Sequence, residues 1–208
     1  HPIASWMAPV SLADTLTVTR LPEGSLSRYA VRWAEDAPRT SVISWSITID
    51  LAVSAPLAIQ KLDRRSLPVQ MRLDKRTPVG GGLGGGSSDA AAMLRAINEL
   101  FDLRLEISDL RDLSRPLGSD VAYFLDDEAL PRPALVEGFG DRIERTAPVA
   151  GSLVLLFPEF GCPTPLVYAA FDESIPDSTF EARAAAARAL AEGADVRAEL
   201  FYDLATPA

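Results

Sequence analysis

The sequence is short of the residues on which most hydrolytic and metal chemistry depends. One cysteine, Cys162, excludes a disulfide scaffold and a cysteine-ligated metal cluster. One histidine, His1, excludes a zinc site or a Ser-His-Asp triad unless the first residue does the work. Lysine is nearly missing: Lys61 and Lys75 stand alone among 20 basic residues. Positive charge is in deficit, with 29 acidic residues and a net charge of −9, so no nucleic-acid surface is expected. No apolar run approaches the roughly 18 to 20 residues of a membrane span, and the first residues lack the basic flank and apolar core of a signal peptide. A cytoplasmic protein with no nucleic-acid or membrane partner is expected. The initiator methionine is missing too; the chain opens on His1-Pro2-Ile3, as a piece cut from something longer would.

What remains is ordinary globular composition: 208 residues, 48% hydrophobic and 24% charged, enough for one large domain or two small ones. Asp14 to Arg20 and Arg28 to Trp33 alternate apolar with polar around a turn at Pro22-Glu23-Gly24, which predicts a hairpin. Ile47 to Leu62 is apolar enough for a helix, with Pro56 expected to break or kink it. Val69 to Leu73 predicts a short strand with Val69, Met71 and Leu73 on one face. Ala90, Leu94, Ile97 and Phe101 then recur at helical spacing. Ser108 to Leu117 and Thr179 to Ala191 read as further helices, and Leu153 to Phe157 as a strand. A boundary is expected near Ala147-Pro148, dividing residues 1–148 from 149–208.

The strongest signal is Pro78-Val79-Gly80-Gly81-Gly82-Leu83-Gly84-Gly85-Gly86-Ser87-Ser88-Asp89-Ala90, with six glycines in seven residues between a strand and an amphipathic helix. So many glycines carry a large entropic penalty, and a backbone conformation or close approach must require them. Amides unobstructed by Cβ, together with the positive end of a helix, make an anion cradle. Ser87 or Ser88 is expected to cap the helix, leaving a hydroxyl for phosphate or Mg²⁺. A flexible linker is the plain alternative, but linkers do not run at once into Ser-Ser-Asp-Ala-Ala-Ala and an amphipathic pattern. A P-loop needs Gly-Lys-Ser/Thr, and the lysine is missing. A Rossmann loop fits Gly80, Gly82 and Gly85, with Leu103 to Ile107 as second strand and Glu106 as ribose ligand, although any glycine run meets that pattern.

The proline, leucine and double serine fit a third loop. Pro-x-x-x-Gly-Leu-Gly-x-x-Ser-Ser resembles the galactokinase, homoserine, mevalonate and phosphomevalonate (GHMP) kinase superfamily. Leu73 through Ala91 is similar, nearly letter for letter, to the loop of the 4-(cytidine 5′-diphospho)-2-C-methyl-D-erythritol kinases. Leu117-Gly118-Ser119-Asp120-Val121-Ala122-Tyr123-Phe124-Leu125 resembles a second family segment, and Glu137-Gly138-Phe139-Gly140-Asp141 a third. Pro163 to Tyr168, Glu199 to Leu204 and His1 to Ser5 extend the likeness along the chain. The resemblance implies an α+β protein of the GHMP-kinase fold. Its N-terminal domain, like ribosomal protein S5 domain 2, would lack its first strand, and its C-terminal α/β-plait domain would be incomplete. It implies ATP and Mg²⁺ as cofactors and a cytidine-diphosphate-linked methylerythritol as the small-molecule substrate. Pro78, Gly80, Gly81, Gly82, Leu83, Gly84, Gly85, Gly86, Ser87 and Ser88 would bind ATP, Asp120 would be the catalytic aspartate, and His1 and Tyr168 would bind substrate. For Asp120 the plain alternative is a turn or helix cap; for Tyr168, a half-buried aromatic.

Departures qualify the likeness. The family's Ala-Lys-x-Asn-Leu strand and its third glycine-rich motif have no counterpart here, so the chain is expected to be truncated at both ends. A non-catalytic nucleotide-binding remnant, another GHMP kinase and a nicotinamide-dependent oxidoreductase are the competing expectations. Lys61 reads as a solvated charge and Lys75 as an electrostatic flank of the loop. Trp6, Trp33 and Trp45 read as core or subunit-contact residues, Cys162 as unreactive, and Asp126-Asp127-Glu128 as an exposed acidic turn rather than a metal site.

Overall fold

The computed structural model describes residues 1–38, 50–63, 65–156, 164–174 and 180–193. Two compact units divide the chain, one of Val10–Pro131 and one of His1–Pro9 with Arg132–Ala208. The break by compactness thus falls on either side of Val10–Pro131 rather than near Pro148.

In the central unit, β2 (Thr15–Arg20), β3 (Arg28–Trp33) and β4 (Val69–Lys75) form a sheet in the order β2-β4-β3. β4 is antiparallel to β2 and parallel to β3. The expected β2–β3 hairpin is therefore wrong. The turn is real, with the Ser25 amide donating to the Pro22 carbonyl at 3.1 Å and Gly24 at φ +81°, but the strands part beyond it. The reason is burial. β4 carries Val69, Met71 and Leu73, all nearly inaccessible, whereas β2 and β3 alternate half-buried with exposed residues, as edges do. The strand with most apolar surface takes the centre, and α1 (Leu51–Asp63) provides the crossover that a parallel β3–β4 pair requires.

α1 runs unbroken through Pro56, against expectation. Proline at the sixth helical position deprives only the Ala52 carbonyl of a partner, and the fully buried Ala52, Ala55 and Ile59 hold the helix on the core. Residues 47–49 of that prediction lie outside the described residues. α2 (Gly85–Leu100) buries Ala90, Ala91, Met93, Leu94 and Ile97, the spacing the sequence shows. α3 (Ile107–Ser114) and the short α4 (Val121–Phe124) follow. Leu103 to Glu106 is not a strand: the Asn98 side chain takes both the Leu105 amide (3.0 Å) and its carbonyl (2.9 Å). Glu106 forms a capping box with Asp109 at the head of α3. Without that strand, and with β2 antiparallel, the Rossmann reading fails.

In the other unit, β1 (Ile3–Met7) pairs antiparallel with β5 (Ala134–Gly138), which pairs antiparallel with β6 (Arg142–Arg145). α6 (Phe180–Ala191) packs on β1 and β5, burying Ala184, Ala187 and Leu190. Trp6, half-buried on β1, donates from Nε1 to Thr146 Oγ1 at 3.2 Å. Leu153 to Leu156 is not a strand: no described strand pairs with it, and Leu153, Val154 and Leu156 stand exposed. An apolar run makes a strand only where an edge offers it a ladder. Phe157, like Trp45, Phe160, Cys162, Pro163 and the segment 199–204, lies outside the described residues.

Candidate active site

The glycine block crosses from the end of β4 to the start of α2. Its φ values are +72° at Gly80, +69° at Gly82 and +66° at Gly84, so the left-handed conformation recurs at every second residue. Alternation of this kind turns successive amides toward one concave side and makes an anion-binding nest. Neither serine caps α2, contrary to expectation. The N-cap is the left-handed Gly84, with no side-chain cap, and Ser87 and Ser88 lie inside the first turn. The Ser88 hydroxyl donates back to the Gly85 carbonyl at 2.9 Å. The amides of Gly85, Gly86 and Ser87 are left without an intrahelical acceptor, pointing along the positive end of a 16-residue helix.

Two close approaches shape the block. A Cβ at Gly85 would lie 2.7 Å from Thr77 Cγ2, so only glycine lets the two ends of the loop meet. A Cβ at Gly84 would meet the Phe124 ring at 3.1 Å. Phe124 ends α4, whose N-cap is Asp120. Leu51 adds a second link, since one of its methyls lies 3.8 Å from a Cβ at Gly86 and 3.9 Å from a Cβ at Gly118. The glycine block and the Gly118-Ser119-Asp120 turn, distant in the chain, are thus packed together. Asp120 is exposed, accepts a hydrogen bond from the Ser119 hydroxyl at 3.2 Å and makes no capping bond to α4. Its carboxylate is not spent on the local structure around it.

Lys75 differs from its expected role. Its Nζ is buried and donates to Asp14 Oδ2 at 2.5 Å and to Asp89 Oδ2 at 2.6 Å. The other Asp14 oxygen accepts the amides of Arg76 (2.5 Å) and Thr77 (2.7 Å). Lys75 is therefore a buried bridge, not a charge flanking the loop through solvent; Lys61, by contrast, is exposed as read. Burial acts against the Asp14 charge, but the Lys75 ammonium and the two amides outweigh it and hold its pKa below the usual range. Burial acts likewise against Lys75, and its two carboxylates outweigh that and raise it. Asp89 lacks amide donors; burial, which Lys75 only partly offsets, and the like charge of Asp14 push it up to about 7.

The linkage has a definite sign. Asp89 has a folded pKa above its unfolded value of 3.8, so its contribution is complete at low pH and is lost as pH rises through about 7. Asp14 works oppositely, its contribution fading as pH falls below the carboxylate range. Asp89→Asn is expected to gain stability relative to wild type between pH 5 and pH 8. Urea midpoints of the two proteins across that range check it, and parallel curves would show that Asp89 stays ionised throughout.

In the other unit, the His1 and Tyr168 rings stack, with centroids 5.1 Å apart and planes within 5°. Tyr168 is half-buried on α5 (Thr164–Ser174), and Phe171 and Asp172 of the same helix complete the group. Phe171 meets His1 edge-on at 6.2 Å, and Asp172 Oδ1 lies 3.4 Å from His1 Nε2. Asp14, Asp89 as the partner of Lys75, and Asp172 are the residues that reading the sequence missed. One turn of helix from Tyr168 was a signal for Asp172; nothing marked Asp14. The acidic run also departs from expectation. Asp127 and Glu128 are exposed, but Asp126 is fully buried, its carbonyl taken by Arg95. Among the described residues no helix is long and apolar enough to cross a membrane.

Comparison with known proteins matches this geometry. Residues 50–127, holding the glycine block and Asp120, match the GHMP kinases N terminal domain. A 4-diphosphocytidyl-2-C-methyl-D-erythritol kinase of Chlorobium luteolum is 33% identical over 202 residues, covering 97% of this chain and 66% of that protein. One of Methylacidiphilum infernorum is 33% identical over 175 residues, covering 83% and 56%. The chain thus spans between about half and two-thirds of the length of these curated relatives. A crystal structure of 4-(cytidine 5′-diphospho)-2C-methyl-D-erythritol kinase superposes with a TM-score of 0.65 at 31% identity, over all of this chain and 68% of that one. Fold, loop and sequence agree: the chain belongs to the GHMP kinases and, within them, to the 4-diphosphocytidyl-2-C-methyl-D-erythritol kinase family.

Proposed function

We propose that this protein transfers the γ-phosphoryl group of ATP to a hydroxyl of 4-(cytidine 5′-diphospho)-2-C-methyl-D-erythritol, a step of non-mevalonate isoprenoid synthesis. The observation that carries the reading is the packing of an amide-lined loop at a helix N-terminus against the turn that presents Asp120. Phosphoryl transfer asks a protein for little beyond those parts: a cradle for the β- and γ-phosphates and a group that orients the attacking hydroxyl and takes its proton. The amides within Gly80–Gly86 and Ser87 supply the first, with Pro78 and Leu83 setting the turn. Asp120 supplies the second. Mg²⁺ would neutralise charge on the phosphates, with a serine hydroxyl of the Ser87-Ser88 pair in the first turn of α2 as the protein group to meet it. The stacked His1 and Tyr168 offer an edge and an aromatic face to the cytosine. A cytoplasmic enzyme is the reading that goes with ATP as the phosphoryl donor.

The test is ADP release with ATP and each of three acceptors: the cytidine-linked methylerythritol, mevalonate and homoserine. Release with the first alone is the expected result. Release only with mevalonate or homoserine overturns the substrate, and nucleotide binding without release to any acceptor overturns the catalytic reading in favour of a binding remnant.

A further inference from the structure

The buried bridge of Asp14, Lys75 and Asp89 occupies a particular place. Lys75 is the last residue of β4, Asp89 lies in the opening turns of α2, and everything between them is the glycine loop. Asp14 stands just before β2, 61 residues from Lys75. One ammonium therefore closes the mouth of the loop, while the Asp14 carboxylate fastens the first two loop amides, those of Arg76 and Thr77. Inside the loop the restraints thin out: the Gly81 amide reaches the Pro78 carbonyl only at a long 3.4 Å. A segment with six glycines in seven residues loses much conformational freedom when it is ordered. A nest that must be ordered by its ligand binds more weakly than one already formed.

The side chains of all three residues are no more than 5% exposed, so the ammonium cannot itself reach a phosphate. A buried ion cluster is also a poor way to gain stability compared with apolar packing. Its position at both ends of the loop, rather than within the core around Leu94 and Ile97, is what calls for an account. The groups facing Asp89 come from three elements: Lys75 from β4, Asp14 from the segment before β2, and Asp50 from the start of α1.

We propose that Lys75 is a positioning residue for polyphosphate binding: by bridging Asp14 and Asp89 it clasps the two ends of the glycine loop and holds the amide nest in its binding shape before nucleotide arrives. The inference rests on the nucleotide-binding reading above, and its test separates the two. The non-hydrolysable analogue AMP-PNP is titrated calorimetrically into wild type, Lys75→Met, Lys75→Arg and the charge-compensated double variant Lys75→Met/Asp89→Asn. Urea unfolding of each shows which are folded. Ordering a few loop residues on binding costs on the order of 10- to 100-fold in affinity, and a loss of that size is expected for Lys75→Met and for the double variant. The double variant removes the ammonium together with the acid that needs it, and is the arm to read if urea unfolding shows the single variant unfolded. Lys75→Arg, which can still reach both carboxylates, is expected to return affinity to within about fivefold of wild type. Folded variants without the ammonium that bind AMP-PNP as wild type does would overturn the proposal alone, leaving the cluster a structural staple. An arginine variant as weak as the methionine one would overturn it too. Wild type that does not bind AMP-PNP overturns the reading beneath it and this inference together.

Discussion

Asp120→Asn is expected to lower phosphoryl transfer by about 10³- to 10⁴-fold, the upper range for removal of a positioned general base, while AMP-PNP binding stays within about threefold of wild type. The split follows from where Asp120 sits. Its carboxylate makes no capping bond to α4 and is exposed, with the Ser119 hydroxyl its neighbour at 3.2 Å. The amide replaces the acid without a change of shape, so Val121 and Tyr123, which anchor α4 in the core, keep their packing. The loop amides that hold the phosphates belong to a different segment and touch α4 through Phe124, not through Asp120. Binding and chemistry should therefore separate. Turnover under saturating ATP and substrate, set beside the calorimetric dissociation constant, measures both. Equal losses in the two would mean that Asp120 shapes the loop rather than handling the hydroxyl, and an unchanged turnover would remove it from the reaction.

The parts of this site that were legible in the sequence are those whose chemistry forces a residue type. Gly80, Gly82 and Gly84 adopt positive φ, which side-chain-bearing residues avoid, so the loop is written as glycine and can be recognised as such. Asp120 was legible through its neighbours, Gly118 and Ser119, in a segment resembling one family. Val69, Met71 and Leu73 disclosed a strand, but nothing local discloses that β4 lies between β2 and β3. That order arises because α1 carries the chain across and the most apolar strand takes the centre, a non-local competition for burial. Lys75 fails for a similar reason. Next to the glycine block it reads as an electrostatic flank of the loop, and its burial depends on Asp14, 61 residues upstream. Serine after glycine before a helix reads as a cap; the left-handed Gly84 displaced that role and left Ser87 and Ser88 one step inside the helix.

Gly85→Ala is the second substitution with a large expected effect, and competing terms decide its sign. Gly85 is the first residue of α2 and its φ is not positive, so alanine suits the backbone and gains up to about 1 kcal/mol of helix propensity. Against that, the new Cβ lies 2.7 Å from Thr77 Cγ2 and 3.0 Å from Thr77 Cβ. Overpacking of this kind costs about 1–3 kcal/mol, and Thr77 cannot swing aside freely, because its amide is fixed to Asp14 and the residue is buried. The contact is therefore relieved by moving the start of α2 away from the end of β4, which opens the amide nest. A loss of AMP-PNP affinity of about 100-fold is expected from a nest that the ligand must re-form, with stability lowered by up to about 2 kcal/mol once the propensity gain is deducted. Thr77→Ser removes the offending methyl but not the Cβ, so Gly85→Ala/Thr77→Ser should recover part of the affinity and not all of it. Gly151→Ala, at a residue with open space around it and no positive φ, should change neither quantity. Recovery by the serine variant distinguishes a steric wedge at the loop mouth from a general intolerance of side chains, because the second cause would leave the double variant as weak as the single one.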